Sequence, residues 1–167
     1  MNLYWINQAV SYWALVFFIV PIRYIKKVIV FAYLGGFLYT WIVQLIAVDI
    51  LKRWSFKPDF FTLWGIPVFF VMSWFAVTLI FGYLLLIYSR YQLWILTFFV
   101  LWGTLMSHVA KAMNQIDMTG WSVAETFMFA VFSHVLLLYV FKYMHKVDDL
   151  GSNEDLIKFT LASLKRK

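Results

Sequence analysis

The sequence predicts an all-α, polytopic membrane protein. Its fold is a five-transmembrane-helix bundle, N-terminus outside and C-terminus inside, with a short amphipathic cytoplasmic tail helix. Three observations predict this. Apolar residues make up 64% of the 167-residue chain and charged residues only 13%, about half the charge of a typical soluble domain. The charged residues bound five uncharged runs, 1–22, 28–48, 60–89, 91–110 and 126–141, and a helix needs about 20 residues to cross the hydrocarbon core. The runs are apolar all round, as in FVMSWFAVTLIFGYLLLIY, whereas the strands of a membrane barrel alternate polar and apolar residues.

Each span follows from local chemistry. Span 1 covers 3–20. No basic region precedes it and no small-residue cleavage site follows, so it reads as a retained span and not a signal peptide. Span 2 covers 28–49. The third run is too long for one straight crossing of about 30 Å at about 1.5 Å per residue. Pro67 supplies a break, because proline suits a first helical turn. Span 3 is therefore 66–88, preceded by an interfacial segment carrying Trp64. Span 4 covers 92–110. Span 5 covers 122–141, opened by Ser122 and Glu125 in the capping-box spacing S-x-x-E. Residues 1–145 thus form the transmembrane domain and 146–167 a basic cytoplasmic tail. In the tail, Ser152 and Asp155 repeat the cap spacing, and Ile157, Leu161 and Leu164 recur at helical intervals before Lys165, Arg166 and Lys167.

Basic residues orient the bundle. With the N-terminus outside, ten lysines and arginines lie on the cytoplasmic side and four outside; the outer ones are Lys52, Arg53, Lys57 and Lys111. The net charge of +6 suits anionic lipid headgroups, contacted above all by Lys165, Arg166 and Lys167, and not nucleic acid. The expected setting is the cell membrane, crossed several times. The chain has no cysteine, which excludes disulfides and thiolate metal sites.

Polar groups inside a bilayer are costly and so point to function. His134 lies mid-span 5, with Thr126, Ala130 and Ser133 on its side of the helix. It reads as a proton relay or ligand-binding group, or as a neutral histidine bonded across a helix interface. His108, Lys111 and Gln115 share a face at the outer end of span 4, with Asp117 at similar depth. With His134 they form a candidate intramembrane polar site; the alternative is ordinary interfacial polarity with Lys111 snorkelling. Gly36, Thr40 and Gln44 on span 2, and Gly103 and Ser107 on span 4, make small-residue stripes suited to close helix packing. Phosphate loops, zinc-protease motifs and nucleophile elbows are absent from the sequence. Its three histidines lack metal-ligand spacing. No catalytic residue, metal or cofactor is therefore assigned.

From Lys52 to Lys146 the chain carries Phe56-Lys57-Pro58-Asp59, then Gly65-Ile66-Pro67 before a long apolar helix, and later Gly120-Trp121-Ser122 opening the last span. This pattern resembles a family of short, uncharacterised five-helix membrane proteins of spore-forming Firmicutes of the Bacillus and Clostridium type. The family pattern has an acidic residue in its fourth helix, where this chain has Ser107 and His108. The resemblance implies a Gram-positive cell membrane and a link to sporulation. It brings no catalytic residue.

The leading expectation is a membrane protein acting by association, with a protein partner or as a homo-oligomer. The alternative is a small-solute binding or transport component with a polar pocket between helices 4 and 5. A second alternative is an intramembrane lipid-modifying enzyme, for which the residues supply no acid–base pair or activated nucleophile.

Overall fold

The computed structural model describes residues 3–118 and 120–145. Five helices form the bundle: α1 (Tyr4–Ile19), α2 (Ile22–Ile50), α3 (Val68–Ile87), α4 (Gln92–Ala112) and α5 (Val123–His145). Of these, α2, α3, α5 and α4 with its preceding turn (Ser89–Ala112) are long and apolar enough to cross a membrane. The first helix has 16 residues, about 24 Å at 1.5 Å per residue, short of the roughly 30 Å core.

Two boundaries differ from expectation. The second helix starts at Ile22, not near residue 28, and takes in Arg23, Lys26 and Lys27. Pro21 is the reason: its backbone is extended (φ −59°, ψ 139°) and caps α2, so the chain turns within two residues. The basic side chains can sit on the first helical turns because their apolar stems lie along the helix; Arg23 and Lys27 both lie over the Tyr24 ring, 5.0 and 5.5 Å from its centroid. Helix α2 widens into π-helical turns at Tyr33–Leu38, across Gly35-Gly36, and at Ile46–Ile50. The other difference is Pro67, which lies in a strand and caps α3 instead of occupying its first turn.

Four two-residue strands add to the expected all-α architecture: β1 (Ser55–Phe56), β2 (Thr62–Leu63), β3 (Ile66–Pro67) and β4 (Ile116–Asp117). β2 and β3 form a hairpin whose turn residues, Trp64 and Gly65, both have positive φ (50° and 72°), as a two-residue hairpin turn of primed type requires. β1 pairs antiparallel with β4, Ser55 opposite Asp117 and Phe56 opposite Ile116. That ladder ties the α2–α3 connection to the α4–α5 connection at one end of the bundle.

The core divides between the two ends. At the strand end, Trp5, Phe56, Ile66, Val71 and Ile116 pack together. At the other end, Val16, Val28, Phe31, Leu85 and Phe141 do so. Helix α1 contributes to both clusters, so it runs the length of the bundle. Helix α3 is central: 61% of its most apolar stretch is buried, against 28–33% for the other three long helices. Its exclusion from the periphery explains why its sequence is apolar on every side.

Charge is unequal between the ends. Asp49, Asp59, Asp117 and Glu125, the acidic residues among those described, all belong to the strand end, with Lys52, Arg53, Lys57 and Lys111. Arg23, Lys26, Lys27, Arg90 and Lys142 mark the opposite end without a described carboxylate. There His145, the last residue of α5, joins α5 to α2. Its Nδ1 lies 3.1 Å from the Phe141 carbonyl and its Nε2 3.1 Å from the Lys27 carbonyl. The expected tail helix and the headgroup contacts of Lys165, Arg166 and Lys167 lie outside the described residues.

Candidate functional site

Between the two clusters lies a cavity of about 110 Å³. All five helices line it, together with the β1 and β4 segments that cap its strand end. On α5 its wall runs from Thr126 to Leu137, about 16 Å of helix. None of its lining residues is Asp, Glu, Lys or Arg.

Three sets of residues make the cavity. Glycines and small residues first hold helices close without filling the centre. A Cβ on Gly36 would stand 2.7 Å from the Trp74 carbonyl oxygen and 2.8 Å from Phe75 Cα, so α2 and α3 touch backbone to backbone there. A Cβ on Gly35 would strike the Leu137 side chain. A Cβ on Gly103 would meet Trp74 at 3.2 Å and His134 Cε1 at 3.7 Å.

Aromatic walls form the second set. Trp5, Trp54, Trp74, Trp102 and Trp121 all line the cavity. Trp54 and Trp121 meet edge to face at 5.2 Å, and their N–H groups donate to Gln44 Oε1 (2.8 Å) and Thr126 Oγ1 (3.0 Å). These bonds anchor the capping loops to α2 and α5.

The third set is polar and centres on His134, which is 4% exposed. Its ring lies against Phe81 (5.7 Å, edge-on), Trp74 (6.3 Å) and Phe99 (6.4 Å). Nδ1 lies 2.8 Å from the Ala130 carbonyl. A carbonyl only accepts, so Nδ1 carries the proton. Beside it, the Tyr39 and Ser133 hydroxyls bond at 3.0 Å, tying α2 to α5.

The residues singled out from sequence separate into two groups. His134, Thr40, Gln44, Gly103 and Ser107 reach the cavity. His108, Lys111, Gln115 and Asp117 do not line it. Helix α4 ends at Ala112, so Gln115 leaves the face it was expected to share with His108 and Lys111. The stop is a Schellman turn: Gln115 N–H donates to Ala110 O (2.8 Å) and Asn114 N–H to Lys111 O (2.9 Å), with Asn114 left-handed at φ 53°. Lys111 Nζ lies 3.5 Å from the Met118 carbonyl, and His108 Nε2 is buried with no hydrogen-bond partner among the described residues. Asp117 lines a separate cleft with Asp49, Lys52 and Arg53. Ser122 and Glu125 bond reciprocally: Ser122 N–H to Glu125 Oε2 at 2.7 Å, and Glu125 N–H to Ser122 Oγ at 3.2 Å. Among the described residues no group of three or more His, Asp or Glu could hold a metal ion.

Several cavity residues carry little signal in the sequence. Gln8, Tyr12, Tyr39, Ser73 and Thr78 line the wall. Ser73 and Thr78 break the apolar run of span 3, which was the available clue. The cavity also extends over all five helices, not only helices 4 and 5. No protein-family model, curated protein or solved structure matches the chain.

Proposed function

We propose that this chain is a five-span protein of the cell membrane, N-terminus outside, that binds a small uncharged molecule inside its bundle. The observation that carries this reading is the cavity: lined by every helix, free of charged side chains, and supplied with a buried histidine. Pockets with apolar walls and a few convergent polar groups are the usual form of small-molecule sites.

Five crossings are supported by α1, whose Trp5 and Val16 belong to opposite end clusters. Orientation is supported by the charge asymmetry. The end that carries only basic described residues fits the cytoplasmic side.

Association with a protein partner or a second copy draws its support from the small-residue stripes, and the geometry weakens that support. Gly36 and Gly103 are occupied against Trp74, Phe75 and His134 of the same chain. The ligand-binding reading therefore has the better footing. A sporulation link and the resemblance to Firmicutes proteins are kept as proposals about setting.

The experiment is native mass spectrometry of protein purified gently from its own host. A small bound mass, lost when Gly103→Leu fills the space beside His134, is the expected result. A bare chain that also takes up no added small molecule, isolated in a defined complex with a second polypeptide, would replace this reading with association.

A further inference from the structure

Many of the donors in the cavity wall are already committed, although the Trp5 indole N–H, buried without a partner among the described residues, stands in the same wall. Four hydroxyls in its wall donate back to their own helix. Ser73 Oγ bonds Phe69 O at 2.8 Å, Thr78 Oγ1 bonds Trp74 O at 2.8 Å, Ser107 Oγ bonds Gly103 O at 2.9 Å, and Thr126 Oγ1 bonds Ser122 O at 3.1 Å. The indole N–H groups of Trp54 and Trp121 are committed as well. What the four hydroxyls leave for a guest is lone pairs.

His134 points the same way. Its Nδ1 proton goes to Ala130 O, and no carboxylate lines the cavity to offset a positive charge, so the ring is neutral and Nε2 is an acceptor. Nε2 has no hydrogen-bond partner among the described residues. Unlike His108, His134 lines the cavity. The one buried histidine of the bundle core thus offers a lone pair to a space walled by aromatic rings.

The size and walls complete the specification. At about 110 Å³ the cavity is of the same order as the roughly 150 Å³ that holds one benzene-sized ring. Indole and phenyl walls favour a ring guest through edge-to-face contact. The absence of charged lining groups makes an ion a poor guest, since a buried charge without a partner is strongly disfavoured.

We infer that the cavity selects an uncharged, single-ring compound bearing a hydroxyl or N–H donor, of phenol-like chemistry, whose donor bonds to Nε2 of His134. This rests on the binding reading above and adds to it the ligand class and the residue that recognises it.

The test titrates phenol, toluene and benzoate calorimetrically into the full chain in lipid nanodiscs, with empty nanodiscs as the blank. Phenol and toluene are expected to bind and benzoate not. In His134→Phe the affinity for phenol relative to toluene should fall about 10-fold, because the phenol hydroxyl loses its buried partner, while toluene binding changes little. Since the variant also loses its bond to Ala130, wild-type protein labelled with ¹⁵N-histidine supplies a second reading: the Nε2 resonance of His134 should move with phenol and stay in place with toluene. If His134→Phe leaves the phenol-to-toluene ratio unchanged and the Nε2 resonance does not respond, recognition by His134 is overturned while toluene binding upholds the cavity as a site. Benzoate bound as tightly as phenol overturns the neutrality of the ligand. No binding of any probe above empty nanodiscs overturns the binding reading itself.

Discussion

Replacing Gly36 with alanine tests the seam on which the cavity depends. The added Cβ would lie 2.7 Å from the Trp74 carbonyl oxygen, 2.7 Å from Thr78 Oγ1 and 2.8 Å from Phe75 Cα, where ordinary contact begins at 3.4 Å. A side-chain tip could turn aside, but two of these atoms are backbone. Helices α2 and α3 would therefore have to part by 0.6–0.7 Å, the difference between these contacts and 3.4 Å. That movement loosens Val28, Phe31, Ala32, Leu79 and Phe81, all 1% exposed or less. Overpacking of this kind costs about 1–3 kcal/mol. The better helix propensity of alanine offsets at most about 1 kcal/mol, so a cost in the middle of that range, about 2 kcal/mol, leaves a net loss of at least about 1 kcal/mol. Gly103→Ala is the control, because its nearest neighbour is the far edge of the Trp74 ring at 3.2 Å. Equilibrium unfolding in mixed micelles, following tryptophan fluorescence, would read both. Gly36→Ala should lose clearly more stability than Gly103→Ala. Equal stability of the two, or a Gly36→Ala protein as stable as the wild type, would show that α2 and α3 do not touch as described.

Three further outcomes are expected. Trp54→Phe removes the N–H that Gln44 Oε1 accepts at 2.8 Å and leaves that oxygen unpaired on a side chain only 7% exposed, costing about 1–3 kcal/mol; the double variant Trp54→Phe/Gln44→Leu should recover part of the loss in the same unfolding assay, and no recovery would deny the bond its role. Ser122→Ala removes the oxygen that accepts from Glu125 N–H and should destabilise α5 by about 1 kcal/mol, seen as faster hydrogen exchange in its first turn, with unchanged exchange counting against the cap. Because the chain has no cysteine, Lys57→Cys and Arg90→Cys can be probed singly with an impermeant thiol reagent on intact cells: Lys57→Cys should react and Arg90→Cys should react only after permeabilisation, and the reverse pattern would invert the proposed orientation.

Much of the secondary structure was legible because a bilayer imposes a coarse and unambiguous pattern. Uncharged runs long enough to span stand out without periodicity, and the third, fourth and fifth helices begin and end within a few residues of the limits expected from charge and, for the third, from Pro67. The capping geometry at Ser122 and Glu125 was legible for a local reason: both bonds join residues three apart. His134 was marked for attention by its place in the middle of an apolar run and by the small, polar face it shares with Thr126, Ala130 and Ser133. The start of α2 was not legible, because a count of charges treats Arg23, Lys26 and Lys27 as loop residues, whereas long basic side chains tolerate the first turns of a helix. The pairing of β1 with β4 left no local trace, because each strand is two residues long and its partner lies far along the chain.

By itself the sequence determined the helical class and the presence of long apolar helices able to cross a membrane, since these depend on composition along one line of chain. Tertiary structure alone decided which polar groups share a space. His134 meets Gly103 of α4 and Trp74 of α3, while His108, on the same helix as Gly103, has its Nε2 buried outside the cavity. In a helix that is apolar all round, no amphipathic pattern tells which face turns inward. The choice falls to backbone approach at glycines such as Gly36, and the atoms that meet it there, in Trp74 and Phe75, belong to a different helix.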